Sequence, residues 1–158
     1  MSKIRQAALW LTLSASAFVG IAKYESYRED AYYPTPDDVP TIGYGKTDGV
    51  KIGDKTTPDR ALQDLHAETQ KFEEKLRQCL GPVPLYQHEW DAFVSLAYNI
   101  GHQAFCSSTL VKLLKQEPPD YVGACKQILR WDKQNGKTLR GLTLRREGEY
   151  KLCMGDRR

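Results

Sequence analysis

Residues 24–47 read YESYREDAYYPTPDDVPTIGYGKT, and this window limits the folds open to the chain more than any other stretch. It follows apolar residues at near-helical spacing, Leu9, Leu13, Ala17, Ile21 and Tyr24. Pro34, Pro36, Asp37, Asp38 and Pro40 then exclude a continued helix and favour turns. Thr41-Ile42-Gly43-Tyr44-Gly45 has the β-branched and aromatic character of a short strand, and Gly45 and Gly49 mark turns after it. A helix end therefore runs directly into a small hairpin, and Glu25 stands at the junction.

The remainder reads as helices separated by clear stops. Thr57 can cap a helix whose first position suits Pro58. Leu62, Leu65, Phe72 and Leu76 carry that helix to about Leu80, where Gly81-Pro82 ends it. A helix over about 85–100 places Trp90, Phe93, Val94, Ala97 and Ile100 on one face and ends at Gly101. Ser107 or Ser108 opens a short helix with Leu110, Leu113 and Leu114, closed before Pro118-Pro119. Asp120 caps another that runs through Cys125 and Ile128 to Trp131, Asn135-Gly136 turns the chain, and Leu142 begins a last helix to about Cys153. The pattern predicts an α+β fold, mostly helical, with one small antiparallel hairpin or sheet between residues 31 and 55.

A chain of 158 residues and 18.0 kDa, 41% hydrophobic and 27% charged, suits one globular domain rather than a disordered segment. The net charge of +3 is mild; it suits approach to an anionic polymer such as a bacterial wall, or solubility alone. No Lys/Arg run with interleaved aromatics points to nucleic acid. Cys79, Cys106, Cys125 and Cys153 form no CxxC pair and have no histidine at ligand spacing, so no metal is expected. An even count allows two disulfides, in three connectivities, in an oxidising compartment; four buried thiols are the alternative.

Residues 6–22, QAALWLTLSASAFVGIA, are uncharged and follow Lys3 and Arg5, the pattern of a secretory signal or signal anchor. The run is at the short end for a membrane span, and Thr12, Ser14, Ser16 and Gly20 dilute its apolar content. Cleavage after Ala15 or Ala17 would remove the helix that has to hold Glu25, so the segment is expected to stay. It is either an anchor weak enough to leave the lipid or the first amphipathic helix, over 7–27, of a cytosolic domain. Residues 1–22 are thus read as anchor or first helix, and 20–158 as the main domain.

Cleaving a glycosidic bond needs one protonated carboxylic acid and a second group that activates or holds water. Glu25, between Tyr24 and Tyr27, is the candidate acid; a solvated helix glutamate beside Lys23 and Arg28 is the plainer alternative. Its company favours chemistry. Glu25, Ala31-Tyr32, Thr41 and Ile42-Gly43-Tyr44-Gly45 are followed by Asp91-Ala92-Phe93, Leu96-Ala97-Tyr98-Asn99-Ile100-Gly101 and Ser107-Ser108-Thr109-Leu110. Arg130-Trp131, Gly141-Leu142, Arg145-Arg146 and Glu149 complete the series. In this order the residues resemble the phage lysozymes, the endolysins of glycoside hydrolase family 24, over residues 20–153. The resemblance implies a lysozyme-like fold and a cofactor-free muramidase acting on the glycan strands of peptidoglycan. It would cut the β-1,4 bond between N-acetylmuramic acid and N-acetylglucosamine, with inversion, during host cell lysis.

Two departures from the family pattern stand out. Ser26 occupies the usual glycine position, which is tolerable where the backbone does not need positive φ. The usual aspartate position falls on Pro34, and the step from Glu25 to Thr41 is one residue longer than in the family, so the hairpin carries an extra residue. Asp37 and Asp38 are left as second carboxylates; Asp38, nearer Thr41, is preferred, with Thr41 holding the attacking water. Tyr98 and Asn99, which border the cleft by resemblance, are expected to bind saccharide. Ser108 or Thr109 is a further contact unless it serves as a helix cap, and Arg145 or Arg146 would pair with Glu25. Cys125 and Cys153, on the last two helices, are expected to be partners.

The family's signal-arrest-release endolysins imply transient inner-membrane association through residues 6–22. A monomer would then be tethered and inactive at the host inner membrane and later free in the periplasm, with a cytoplasmic stage before export as the alternative. The rival readings are a lytic transglycosylase and a catalytically inactive wall-binding protein. His66, His88 and His102 adjoin no Ser or Cys nucleophile, so a triad hydrolase is not expected.

Overall fold

The computed structural model describes residues 4–156. In chain order the elements are β1 (Gln6–Ala7), a 3-10 turn (Ala8–Trp10), α1 (Ala15–Glu25), β2 (Arg28–Tyr32), β3 (Thr41–Gly43), α2 (Pro58–Leu80) and β4 (Pro84–Leu85). They continue with α3 (Gln87–Ile100), α4 (His102–Cys106), α5 (Thr109–Leu114), α6 (Tyr121–Gln127), a 3-10 turn (Ile128–Arg130), β5 (Lys133–Gln134), β6 (Lys137–Thr138) and α7 (Arg140–Cys153). The α+β class is as expected, with helices dominant, but the one sheet expected between residues 31 and 55 is one of three two-stranded sheets among the described residues, and its first strand begins at Arg28. Residues 15–71 form one compact unit, and residues 4–14 with 72–156 form another.

In the smaller unit, α1 lies on the first half of α2: Ile21 is buried, and the Phe18 ring meets His66 edge-on at 5.8 Å. The expected cap of α2 is present, with Arg60 N donating to Thr57 Oγ1 at 3.4 Å ahead of Pro58. The sheet pairs β2 and β3 antiparallel, Tyr32 opposite Thr41 and Arg28 opposite Gly43, with an irregularity between. Residues 54–56 extend it, since Ala31 N donates to Asp54 O and Thr56 N to Glu29 O, each at 3.0 Å. Gly43 is required: its φ is +64, and a Cβ there would come 3.0 Å from Ala61 Cβ on α2. The absent side chain lets sheet and helix close on each other.

In the larger unit, α3 is the central element. The sequence pattern assigns it one apolar face, but every residue from Glu89 to Ala97 is buried, so the helix is enclosed on all sides. Its own Trp90, Phe93 and Leu96 are fully buried, as are Phe105, Leu110, Leu114 and Ile128 from the elements that follow. Two disulfides close the unit: Cys125–Cys153, as expected, and Cys79–Cys106. Asn135 and Gly136 both have positive φ, and they join β5 to β6 as a tight hairpin. The helix expected to reach Trp131 ends at Gln127 and tightens into the 3-10 turn.

Residues 6–14 do not continue the first helix, which begins only at Ala15 rather than near residue 7. Their backbone is bound elsewhere in the larger unit. Gln6–Ala7 pairs antiparallel with Pro84–Leu85, and Ala8 N donates to Val83 O at 2.9 Å. Leu13 N donates to Glu73 Oε1 at 3.0 Å and Ser14 N to Asp91 Oδ1 at 2.9 Å. Arg77 donates to Leu11 O at 2.8 Å and Gln87 to Thr12 O at 2.7 Å. Four polar side chains thus replace the hydrogen bonds a helix would have made. Among the described residues no helix is long and apolar enough to cross a membrane.

Candidate active site

Glu25 is the last residue of α1 and is half-buried. Ser26 follows with φ +56, so the helix ends in a left-handed residue, and the condition under which serine would be harmless there is not met. That turn aims Glu25 at the hairpin: a Cβ built on Gly45, whose φ is +93, would lie 3.6 Å from Glu25 Oε2. The φ of Gly45 is what calls for glycine in the turn that follows β3, and the carboxyl group stands at contact distance from it. The Tyr27 and Tyr44 rings stand 5.5 Å apart in the same unit. Burial raises the Tyr27 phenol above its ordinary value, helped by the nearby Glu29 carboxylate.

Thr41 is buried on β3, and its hydroxyl donates to Val39 O at 3.1 Å, which keeps its lone pairs for a donor such as water. Asp37 and Asp38 are exposed in the turn between β2 and β3. Asp38 Oδ2 accepts from Thr35 Oγ1 at 3.0 Å, and Asp38 N donates to Thr35 O at 3.1 Å. The Asp38 carboxylate is held by its own turn while open to solvent.

In the larger unit, Tyr98 is half-buried with its ring 5.0 Å from Phe72. Asn99 is exposed, and its Oδ1 accepts from Arg146 Nη2 at 2.6 Å. Ser108 serves as the N-cap of α5: it accepts from Val111 N at 3.4 Å and donates to Phe105 O at 2.6 Å. Its hydroxyl thus serves the helix end, the cap role that the sequence also offered.

Arg145 and Arg146 both meet Glu149. Arg145 Nε lies 3.1 Å from Glu149 Oε1 and Arg146 Nε 3.2 Å from Oε2, and all three residues are buried. Ser95 Oγ donates to Glu149 Oε1 at 2.7 Å, and Arg145 Nη2 to Ser95 O at 3.3 Å. Sequence reasoning did not assign Glu149 this place. The spacings of three and four residues from the two arginines on one helix were the available signal.

Residues 22–149 match the family model "Phage lysozyme". The endolysin of Acyrthosiphon pisum secondary endosymbiont phage 1 is 38% identical over 144 residues, 89% of this chain and 96% of that one. The SAR-endolysin of Pseudomonas phage phiKMV is 32% identical over 144 residues, 89% and 87% of the two chains. Among solved structures, the active form of P1 phage endolysin Lyz aligns with a TM-score of 0.78 at 25% identity, over 90% of this chain and 85% of that one. The secreted inactive form of that endolysin shares the fold less fully, with a TM-score of 0.51 at 24% identity over 68% and 75%. The chain belongs to the phage lysozyme family, and so to the lysozyme-type hydrolases with a peptidoglycan-lytic role.

Proposed function

We propose that this chain is a muramidase that hydrolyses the β-1,4 bond between N-acetylmuramic acid and N-acetylglucosamine in host peptidoglycan. Glu25 is the general acid, Asp38 the second carboxylate and Thr41 the holder of the attacking water. The observation that carries this reading is the Glu25 carboxyl group, set beside the Gly45 turn of the hairpin on whose strand Thr41 is buried. Glu25 protonates the leaving oxygen; Asp38, facing solvent and fixed by Thr35, takes a proton from the water that Thr41 orients. A water attacking between two carboxyl groups requires roughly 6.5–9.5 Å between them and inverts the anomeric centre.

Glu25→Gln should abolish clearing of a purified peptidoglycan suspension while leaving the Tm unchanged; surviving lysis removes Glu25 from the chemistry. Asp38→Asn set against Asp37→Asn decides which turn carboxylate acts. NMR of the first-formed anomer tests inversion. Anhydro-sugar ends in the product masses would mark a lytic transglycosylase, and wall binding without clearing would mark an inactive binder.

The same reading extends to residues 6–22, which on this proposal lie in the inner membrane before they dock. Support comes from their uncharged sequence and from the SAR-endolysin relative. Fractionation of expressing cells, with thiol labelling of Cys79 and Cys106, should find a membrane-bound pool that converts to a periplasmic one. A chain found only in the cytosol with reduced cysteines would refute it.

A further inference from the structure

We infer that Lys46 and Asp64 are positioning residues whose ion pair fixes the Gly45 turn against the Glu25 carboxyl group. The inference rests on the muramidase reading of Glu25 and deepens it to what holds that acid's surroundings in place. The turn is closed on itself: Ile42 N donates to Lys46 O at 2.9 Å and Lys46 N to Ile42 O at 3.0 Å. Gly43 and Gly45 supply its positive φ angles, +64 and +93, but glycine adds no rigidity of its own. Two contacts on α2 mount the turn. Gly43 packs on Ala61, where a Cβ would come 3.0 Å from the Ala61 Cβ, and Lys46 Nζ donates to Asp64 Oδ1 at 3.0 Å. Ala61 and Asp64 are three residues apart and so share one face of the helix. α1, which carries Glu25, rests on the same helix through Phe18 and His66. Glu25 and the turn that meets it thus both take their positions from α2.

One contact alone would leave the turn free to pivot about Gly43; the second removes the pivot and sets where Gly45 stands. The pair suits placement better than stability. Its side chains are 39% and 30% exposed, and an exposed ion pair adds little to folding. Lys46 follows Gly45 directly, and a Cβ on Gly45 would lie 3.6 Å from Glu25 Oε2. A shift of the Lys46 backbone therefore changes the surroundings of the carboxyl group, and misplacement that begins away from the chemistry costs rate.

Lys46→Met and Asp64→Asn separate this role from a structural one. On purified peptidoglycan each should lower kcat about two- to fivefold with KM nearly unchanged, because the pair can shift an equilibrium by no more than its own worth. The Tm should fall by less than about 4 °C. The double variant should lose no more kcat than either single one. Lys46→Arg, which keeps the charge, should retain most of it. An NMR arm needs no substrate: the Gly45 amide resonance should shift as Glu25 titrates, an effect absent in Glu25→Gln and smaller in Lys46→Met. Unchanged kcat in Lys46→Met, losses that add in the double variant, or a Gly45 resonance that follows Glu25 equally with and without Lys46 would each overturn the inference. An intact enzyme that clears no wall would overturn the muramidase reading instead, and the Gly45 resonance would still decide the placement.

Discussion

Ser26→Gly should stabilise the protein by about 0.5–1 kcal/mol. Ser26 has φ +56, a left-handed conformation that costs a residue with a Cβ roughly 1–2 kcal/mol. Glycine removes that cost but gains freedom in the unfolded chain, which offsets about 0.5–1 kcal/mol. The side chain is exposed, so little packing is lost. For a domain of this size each kcal/mol moves the Tm by about 2–4 °C, so calorimetry with the disulfides intact should show a rise of about 1–4 °C. Ser26→Val is the opposite perturbation, since a β-branched side chain suits a left-handed turn still less, and it should lower the Tm. A Tm that falls with glycine, or stays level with valine, would refute backbone strain as the reason serine is costly there.

Glu149→Gln should destabilise by about 3–5 kcal/mol in the same calorimetry, because two buried guanidiniums lose their counter-charge; a loss below about 1 kcal/mol would show them neutralised by other means. Replacing Cys125 and Cys153 together by serine opens a loop with a sequence separation of 28 residues. It should cost about 3.5 kcal/mol in guanidinium titration if the unfolded chain gains the freedom of that loop. Gly43→Ala places a Cβ 3.0 Å from Ala61 at φ +64 and should cost about 2 kcal/mol with little change in fold by circular dichroism. Burial raises the Tyr121 phenol above 10.0, although Arg5 pulls it down. A folded pKa above the unfolded one means this stability is complete below the unfolded value and is lost as pH rises through the folded one. Arg5→Ala should move the phenolate absorbance step still higher, and a downward move would contradict the assigned role of the Arg5 charge.

Elements fixed by local chemistry were legible in the sequence. Thr57-Pro58 at the start of α2, Asp120 at the start of α6 and the glycine stop after α3 depend on neighbours within a turn, and each stands where expected. So does the hairpin, whose glycines answer to φ and to close approach rather than to distant packing. The backbone at Ser26 was left open, because a left-handed helix end is usually recognised by its glycine and here serine stands in the glycine's place. Ser108 was ambiguous because one hydroxyl suits both a cap and a sugar. The Glu149 cluster depends on which faces of α3 and α7 meet, which the periodicity of either helix alone does not specify.

Residues 6–14 are the instructive failure, because their pattern satisfies helix, membrane anchor and docked strand at once. What decides among these lies far along the chain: Glu73, Arg77, Gln87 and Asp91 hold the segment's backbone, and Arg5 packs over the Tyr86 and Tyr121 rings while bonding Glu89 at 2.8 Å. Docking nevertheless uses the segment's apolar residues unevenly. Ala8 and Leu11 are buried, whereas Leu9 and Trp10 remain 48% and 79% exposed. Trp10 is the most exposed large apolar side chain of the segment, and it adjoins the exposed Leu9 beside buried Ala8 and Leu11. Apolar residues on both sides of the chain suit an environment that surrounds it, as lipid does, while alternating burial suits a surface that covers one side. The exposed set therefore fits the proposed membrane residence, and the polar side chains that receive the backbone fit the state after it, when the hydrogen bonds of a membrane helix have to be replaced one by one.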